Sequence, residues 1–260
     1  MNTIIHITDN SLAPEIAGLC QRVLVREARG IPIISVSQKP IDLGRNICVG
    51  EIGRSWRSFY AQIMTGLDAA ETETIAMAEH DCCYTHGHLS FQPPDLSYFW
   101  YNRNHHLVQW GGNHPELTGM YSYYPGRIPY SMLVCAKSLL REAIGEIINL
   151  IEMGLKVERG IRWHSEPGVI DNKLRKAFVE ANSGRPTQLQ RYLKDYVTKY
   201  DHRLFSTPYP SIDIRHSTNF TGPRRGKHRT YEIPYWGKWS DVIEGRWGEC
   251  SDVITEANHA

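Results

Sequence analysis

The triplet Glu79-His80-Asp81 closes the apolar run Thr74 to Ala78. Two carboxylates one residue apart can share a divalent cation and the hydroxyls of a sugar, because hard oxygen ligands suit Mg²⁺ or Mn²⁺. A Glu-x-Asp is common on spacing alone, so its position in the fold has to decide. A second polar cluster, Thr8-Asp9-Asn10, follows the apolar run Thr3 to Ile7. In an open α/β sheet, ligands bind beyond the carboxyl ends of the strands, and both clusters fall there. Later, Trp163-His164-Ser165-Glu166-Pro167-Gly168 reads as a Pro-Gly turn presenting a carboxylate. The stretch Thr221 to Arg229 carries Arg224, Arg225, Lys227 and Arg229 with no acidic residue. That basic segment suits a small-molecule diphosphate, a nucleic-acid backbone held by salt-sensitive ion pairs, or simple solvation. Cys82-Cys83 beside His80, His86 and His88 invites a zinc reading, but adjacent cysteines seldom ligate one ion well.

The elements that position these groups follow from periodicity. The run Thr3 to Ile7, the amphipathic stretch Ser11 to Ala28 and the run Ile31 to Ser37 form one βαβ unit, which implies a parallel sheet. Leu12, Ile16, Leu19, Val23 and Leu24 recur at helical spacing, with Asn10 or Ser11 as N-cap, Pro14 in the first turn and Gly30 past the end. Gln38 to Gly53 reads as a polar loop. Trp56 to Ala70 is a second helix through Phe59, Ile63 and Leu67, and the strand after it ends at the acidic triplet. From Phe91 to Tyr130 the chain reads as strands and loops. Ser131 to Cys135 reads as a strand leading into a helix over Lys137 to Met153, and a further helix is expected over Thr187 to Tyr200. Beyond Phe205 the density of Pro, Gly and aromatics suggests an irregular strap. The aromatic groups Tyr98 to Tyr101, Tyr121 to Tyr124 and Tyr231 to Trp247 read mainly as core, with some available to stack on a sugar or an extruded base.

This order resembles the nucleotide-sugar-binding half of GT-A fold glycosyltransferases, with the acidic triplet where that family has its Asp-x-Asp-type motif. Ile7-Thr8-Asp9-Asn10, Ser35-Val36-Ser37-Gln38-Lys39-Pro40, Arg54-Ser55 before a helix and Asp213-Ile214-Arg215-His216 look like the glycosyltransferases encoded by bacteriophages. The first acidic position is Glu where the family more often has Asp. The resemblance implies one α/β domain over 1–260: a Rossmann-type nucleotide-sugar-binding half with a mixed sheet at 1–90, an acceptor-side half at 91–205, and a C-terminal strap at 206–260. It also implies Asp81 as principal metal ligand, Glu79 reaching the metal or the donor hydroxyls, and His216, near Asn219, as a late-chain ligand. Thr8, Asp9, Asn10 and Arg54 would meet the nucleotide, a uridine diphosphate sugar in the first instance, with Mn²⁺ or Mg²⁺ between. The cation serves as Lewis acid for the departing diphosphate. An inverting enzyme further needs a base for the acceptor hydroxyl, Glu166 or alternatively His164, whereas a retaining one does not. Phage members suggest a 5-hydroxymethylated pyrimidine in double-stranded DNA as acceptor. A cell-surface glycan, a small acceptor, or nucleotide or sugar binding without turnover stand as alternatives.

Composition bounds these readings. The 260 residues are 41% hydrophobic and 22% charged, ordinary for a globular chain, and 29 Lys plus Arg against 28 Asp plus Glu give a net charge of +1. Bulk electrostatics therefore does not drive the molecule onto DNA or anionic lipid. No window reaches the ~20 apolar residues of a membrane span. The beginning of the chain lacks the features of a secretory leader, and six cysteines without paired spacing fit a reducing compartment, so a cytoplasmic location is expected.

Overall fold

The computed structural model describes residues 1–110, 115–123, 126–153, 166–169, 195–196, 199–217 and 227–248. In chain order these form β1 (Asn2–Thr8), α1 (Pro14–Ala28), β2 (Ile33–Ser37), β3 (Arg45–Cys48), α2 (Trp56–Ala69), β4 (Thr74–Glu79), β5 (Cys82–Cys83) and α3 (His86–Leu89). There follow β6 (Phe99–Asn102), β7 (His105–Gln109), β8 (Tyr121–Tyr123), β9 (Leu133–Ala136), α4 (Lys137–Glu152), β10 (His202–Phe205) and β11 (Ser211–Arg215). The last elements are β12 (Lys227–Thr230), the pair β13 (Glu232–Ile233) and β14 (Gly237–Lys238), and α5 (Trp239–Ile243). The fold is mixed α/β. A seven-stranded sheet runs β10-β6-β9-β4-β1-β2-β3. Its β3-β2-β1-β4 half is parallel, and β9 lies antiparallel between β4 and β6.

Strand alternation explains how both faces are covered. Ile5 and Ile7 of β1 and Ile75 and Met77 of β4 face a core built with Ile63 and Leu67 of α2 and Leu140, Ile144 and Ile147 of α4. Ile4 and Ala78 point the other way, onto Leu24 and Ala28 of α1. Helix α2 lies so close to the sheet that a Cβ at Gly66 would come within 2.5 Å of Ile5 Cγ2. Helix α1 is covered in turn by a five-stranded sheet, β12-β8-β7-β11-β5, through Cys83, Val108, Tyr121, Ile212 and Ile214. No helix among the described residues is long and apolar enough to cross a membrane.

Three expectations change. The segment 38–53 contains β3, an edge strand in which Asn46 donates to the Ser35 and Ser37 hydroxyls; its polar, half-exposed face carries no apolar alternation to announce it. Among the described residues beyond Phe205 the chain is not irregular throughout, because β11 is fully buried between β7 and β5. Its Ser-Ile-Asp-Ile-Arg sequence hides this, since Asp213 and Arg215 are buried by pairing rather than by being apolar. Helix α1 begins at Pro14 with Ala13 as a cap that makes no side-chain bond. Asp9 takes both the amide and hydroxyl of Ser11, and Asn10, at φ 58°, accepts from the amides of Gln38 and Lys39. The helix expected over 187–200 falls largely outside the described residues.

Candidate functional site

The parallel pairing of β1 with β4 sets Ile7 opposite Glu79, so Thr8 and His80 emerge side by side at the carboxyl edge. The Thr8 hydroxyl and His80 Nδ1 lie 2.8 Å apart. Strand β4 stops at Glu79, and residues 80–81 turn the chain into β5, which pairs antiparallel with β11. The Ile214 amide donates to the Asp81 carbonyl at 2.8 Å. That main-chain bond brings His216, just past β11, to where its Nε2 is 3.4 Å from Asp81 Oδ2. His80, Asp81 and His216 each offer a ligand atom, and these atoms lie within 4.8 Å of one another.

Asp81 and His216 thus come together as the resemblance implied, while the third member of the cluster is His80 rather than Glu79. An uninterrupted strand would put residues 79 and 81 on one face, but the turn after Glu79 breaks that alternation. Burial by itself would raise the Asp81 carboxyl. The hydrogen bond with His216 and the neighbouring His80, His216 and Arg215 overcome it and hold Asp81 below the usual carboxylate range, so it is ionised at neutral pH. Burial lowers His80 despite the opposing pull of Asp81 and Asp9, which leaves a neutral imidazole, the form that ligates metals. Glu79 behaves oppositely. Burial first, then Asp81 and Asp213, push its carboxyl well above the usual range, and Arg127 does not fully offset this. Two imidazole nitrogens and one carboxylate oxygen fit Mn²⁺ better than Mg²⁺, which keeps to oxygen donors.

The cluster borders a cleft whose lining includes Thr8, Asp9, Arg54, Asp81, Glu166 and Tyr130. Arg54 Nε is 2.7 Å from Asp9 Oδ2, closing one wall between the β1 exit and the start of α2. There the Ser55 hydroxyl accepts from the Ser58 amide, and the Ser58 hydroxyl accepts from that of Ser55. Asn10 spends its side-chain oxygen on the β2 exit and does not line the cleft. Glu166 does line it, presented by the expected turn. Tyr101 donates to the Pro167 carbonyl at 2.9 Å and His202 Nδ1 donates to the Gly168 carbonyl at 2.8 Å. Gly168 sits at φ +75° with its Cβ position 2.8 Å from the Asp201 carbonyl, a place only glycine fills without strain.

Sequence reasoning missed a buried charge group in the lining. Arg127 Nη2 is 2.6 Å from Asp213 Oδ2, Arg215 Nη1 is 3.3 Å from Asp213 Oδ1, and all three side chains are at least nine-tenths buried and line the cleft. Asp213 and Arg215 were visible as part of a motif, but Arg127 stands alone in Pro125-Gly126-Arg127-Ile128-Pro129, and only the fold shows its partner. Of the basic segment, Arg229 is exposed on β12 and does not line the cleft, and Lys227 pairs with Tyr123 along the backbone. Arg224 and Arg225, like His164 and Asn219, lie outside the described residues.

No protein-family model matches the chain, and no curated protein matches it. Among solved structures, the glycosyltransferase GlyE of Streptococcus pneumoniae superposes at a TM-score of 0.37 with 12% identity, over 78% of this chain and 45% of that one. A Drosophila β-1,4-galactosyltransferase 7 mutant in complex with manganese, UDP-Gal and xylobiose gives 0.34 at 14% identity, over 78% and 81%. A nucleotidyl transferase from Methanothermobacter gives 0.32 at 14%, over 56% and 76%. The chain spans less than half the length of the pneumococcal protein. All three scores lie under 0.5, so the site itself has to carry any statement about function.

Proposed function

We propose that this chain is a metal-dependent glycosyltransferase that takes a nucleotide-sugar donor. One observation carries the reading: His80, Asp81 and His216 converge within 4.8 Å at the carboxyl edge of a parallel sheet, beside the Thr8-Asp9 exit of β1. A cation bound there supplies Lewis-acid stabilisation for a departing diphosphate. Asp81 provides the anionic ligand and the two imidazoles the neutral ones, while Thr8 holds the His80 ring in place. Asp9, fixed by Arg54 and Ser11, is a carboxylate suited to ribose hydroxyls. Glu79, its carboxyl pushed well above the usual range by burial, lines the cleft where sugar hydroxyls would be met. Glu166 is the base for the acceptor hydroxyl if the reaction inverts configuration; its position on the cleft wall supports that role.

For the acceptor we put forward a 5-hydroxymethylated pyrimidine in DNA, a reading carried by the resemblance to phage glycosyltransferases, with the basic residues Arg224, Arg225, Lys227 and Arg229 of the sequence beside it. The test is donor turnover: with Mn²⁺ and a panel of nucleotide sugars, the protein is expected to release nucleoside diphosphate, and Asp81→Ala to abolish it. Mass spectrometry of nucleosides digested from hydroxymethylated DNA reads the acceptor in the same reaction. Unchanged release by Asp81→Ala rejects the metal-dependent reading, and donor turnover without added sugar mass on any nucleoside rejects DNA.

A further inference from the structure

Two guanidinium groups, Arg127 and Arg215, share the single Asp213 carboxylate inside the cleft wall. Arg127 uses Nη2 for that pair, and its buried Nη1 has no hydrogen-bond partner. The side chain is nine-tenths buried, so solvent does not satisfy that donor as it would on the surface, and an unfilled buried donor is costly. Arg127 lines the cleft that His80 and Asp81 also border, so a ligand bound there can reach this donor. The missing partner of Arg127 is therefore an anion.

We infer that Arg127 is a substrate-binding residue whose free guanidinium edge receives the diphosphate of the donor, in the cleft that the His80-Asp81-His216 cluster borders. This rests on the nucleotide-sugar reading and adds a residue that neither the sequence motifs nor the metal site includes. Asp213 orients the fork from behind, so the free edge meets phosphate oxygens without first losing side-chain freedom. Because Asp213 and Arg215 belong to β11, the same strand sets both the phosphate contact and His216.

The experiment measures binding of UDP, pyrophosphate and uridine by calorimetry in Mn²⁺, for the intact protein and Arg127→Gln, with Mn²⁺ affinity followed by electron paramagnetic resonance. The expected result is a loss of about 10- to 100-fold for UDP and pyrophosphate in Arg127→Gln, with uridine and Mn²⁺ binding unchanged. Should Arg127→Gln fail to fold, Arg127→Lys carries the test. It keeps the charge against Asp213 without the second prong, and is expected to weaken UDP several-fold while sparing uridine. UDP affinity unchanged in the variant overturns the Arg127 assignment and leaves the nucleotide-sugar reading standing, and so does a parallel loss of UDP and uridine. Failure of the intact protein to bind any diphosphate overturns both.

Discussion

Replacing Thr8 with valine removes one oxygen from the candidate site and tests whether the cluster is a metal centre or merely a set of packed polar groups. The Thr8 hydroxyl meets His80 Nδ1 at 2.8 Å and accepts from the Asn10 amide at 3.0 Å, and the residue is buried at the end of β1. Losing two such bonds costs about 1–3 kcal/mol of stability. A metal-binding imidazole released from its orienting partner also loses about 10- to 100-fold in metal affinity, close to 1.4–2.7 kcal/mol. The His80 ring has a fallback, Asp9 Oδ1 at 3.6 Å, and turning toward it moves the ring from the position Thr8 dictates. Thr8→Val is therefore expected to lower the urea midpoint modestly and the Mn²⁺ affinity by at least tenfold, read by resonance titration at a temperature where the variant is folded. Reduced stability with Mn²⁺ affinity intact refutes the reasoning, because His80 would then be part of the scaffold.

Gly168→Ala forces an alanine into φ +75° and its methyl to within 2.8 Å of the Asp201 backbone, at a cost of about 2–4 kcal/mol unless the turn shifts. The expected outcome is slowed sugar transfer with donor hydrolysis and Mn²⁺ binding preserved; equal loss of all three would show that the turn supports the whole cleft. Acid should weaken the fold before it reaches ordinary carboxylates. Burial lowers His6 to about 3, with His80 adding to the effect and Asp81 opposing it; it lowers His88 to about 3, and His105 to about 4, so all three fold as neutral rings. The unfolded chain takes up these protons below about 6.5, so stability falls as pH drops from 6.5 toward 4. Between pH 7.5 and 5.5 these three imidazoles withdraw about 4 kcal/mol from the metal-free protein, a loss the raised Glu79 carboxyl opposes; urea denaturation of Glu79→Gln, which removes that opposition, is expected to show the fall, and a flat profile in that variant would contradict the burial.

Much of the scaffold was legible because its strands and helices alternate in hydrophobicity without interruption. β1, α1, β2, α2 and β4 lie within a few residues of where the apolar spacing puts them, since each buries a continuous face. What escaped was burial by pairing. β11 carries Asp213 and Arg215 inside the molecule, and β3 is an edge whose hydrogen bonds, not its side chains, hold it. The site divides in the same way. Asp81 and His216 stood out as residues of ligating type in telling positions, whereas His80 joins them through a turn and Arg127 through a contact 86 positions along the chain, neither of which leaves a local trace.

The hydrogen bond from the Ile214 amide to the Asp81 carbonyl joins neighbours in space that are distant along the polypeptide. As the protein emerges from the ribosome, the βαβ half is complete long before β11 has been made. Until β11 has been added the chain lacks His216, and the three-residue cluster with His80 and Asp81 is incomplete.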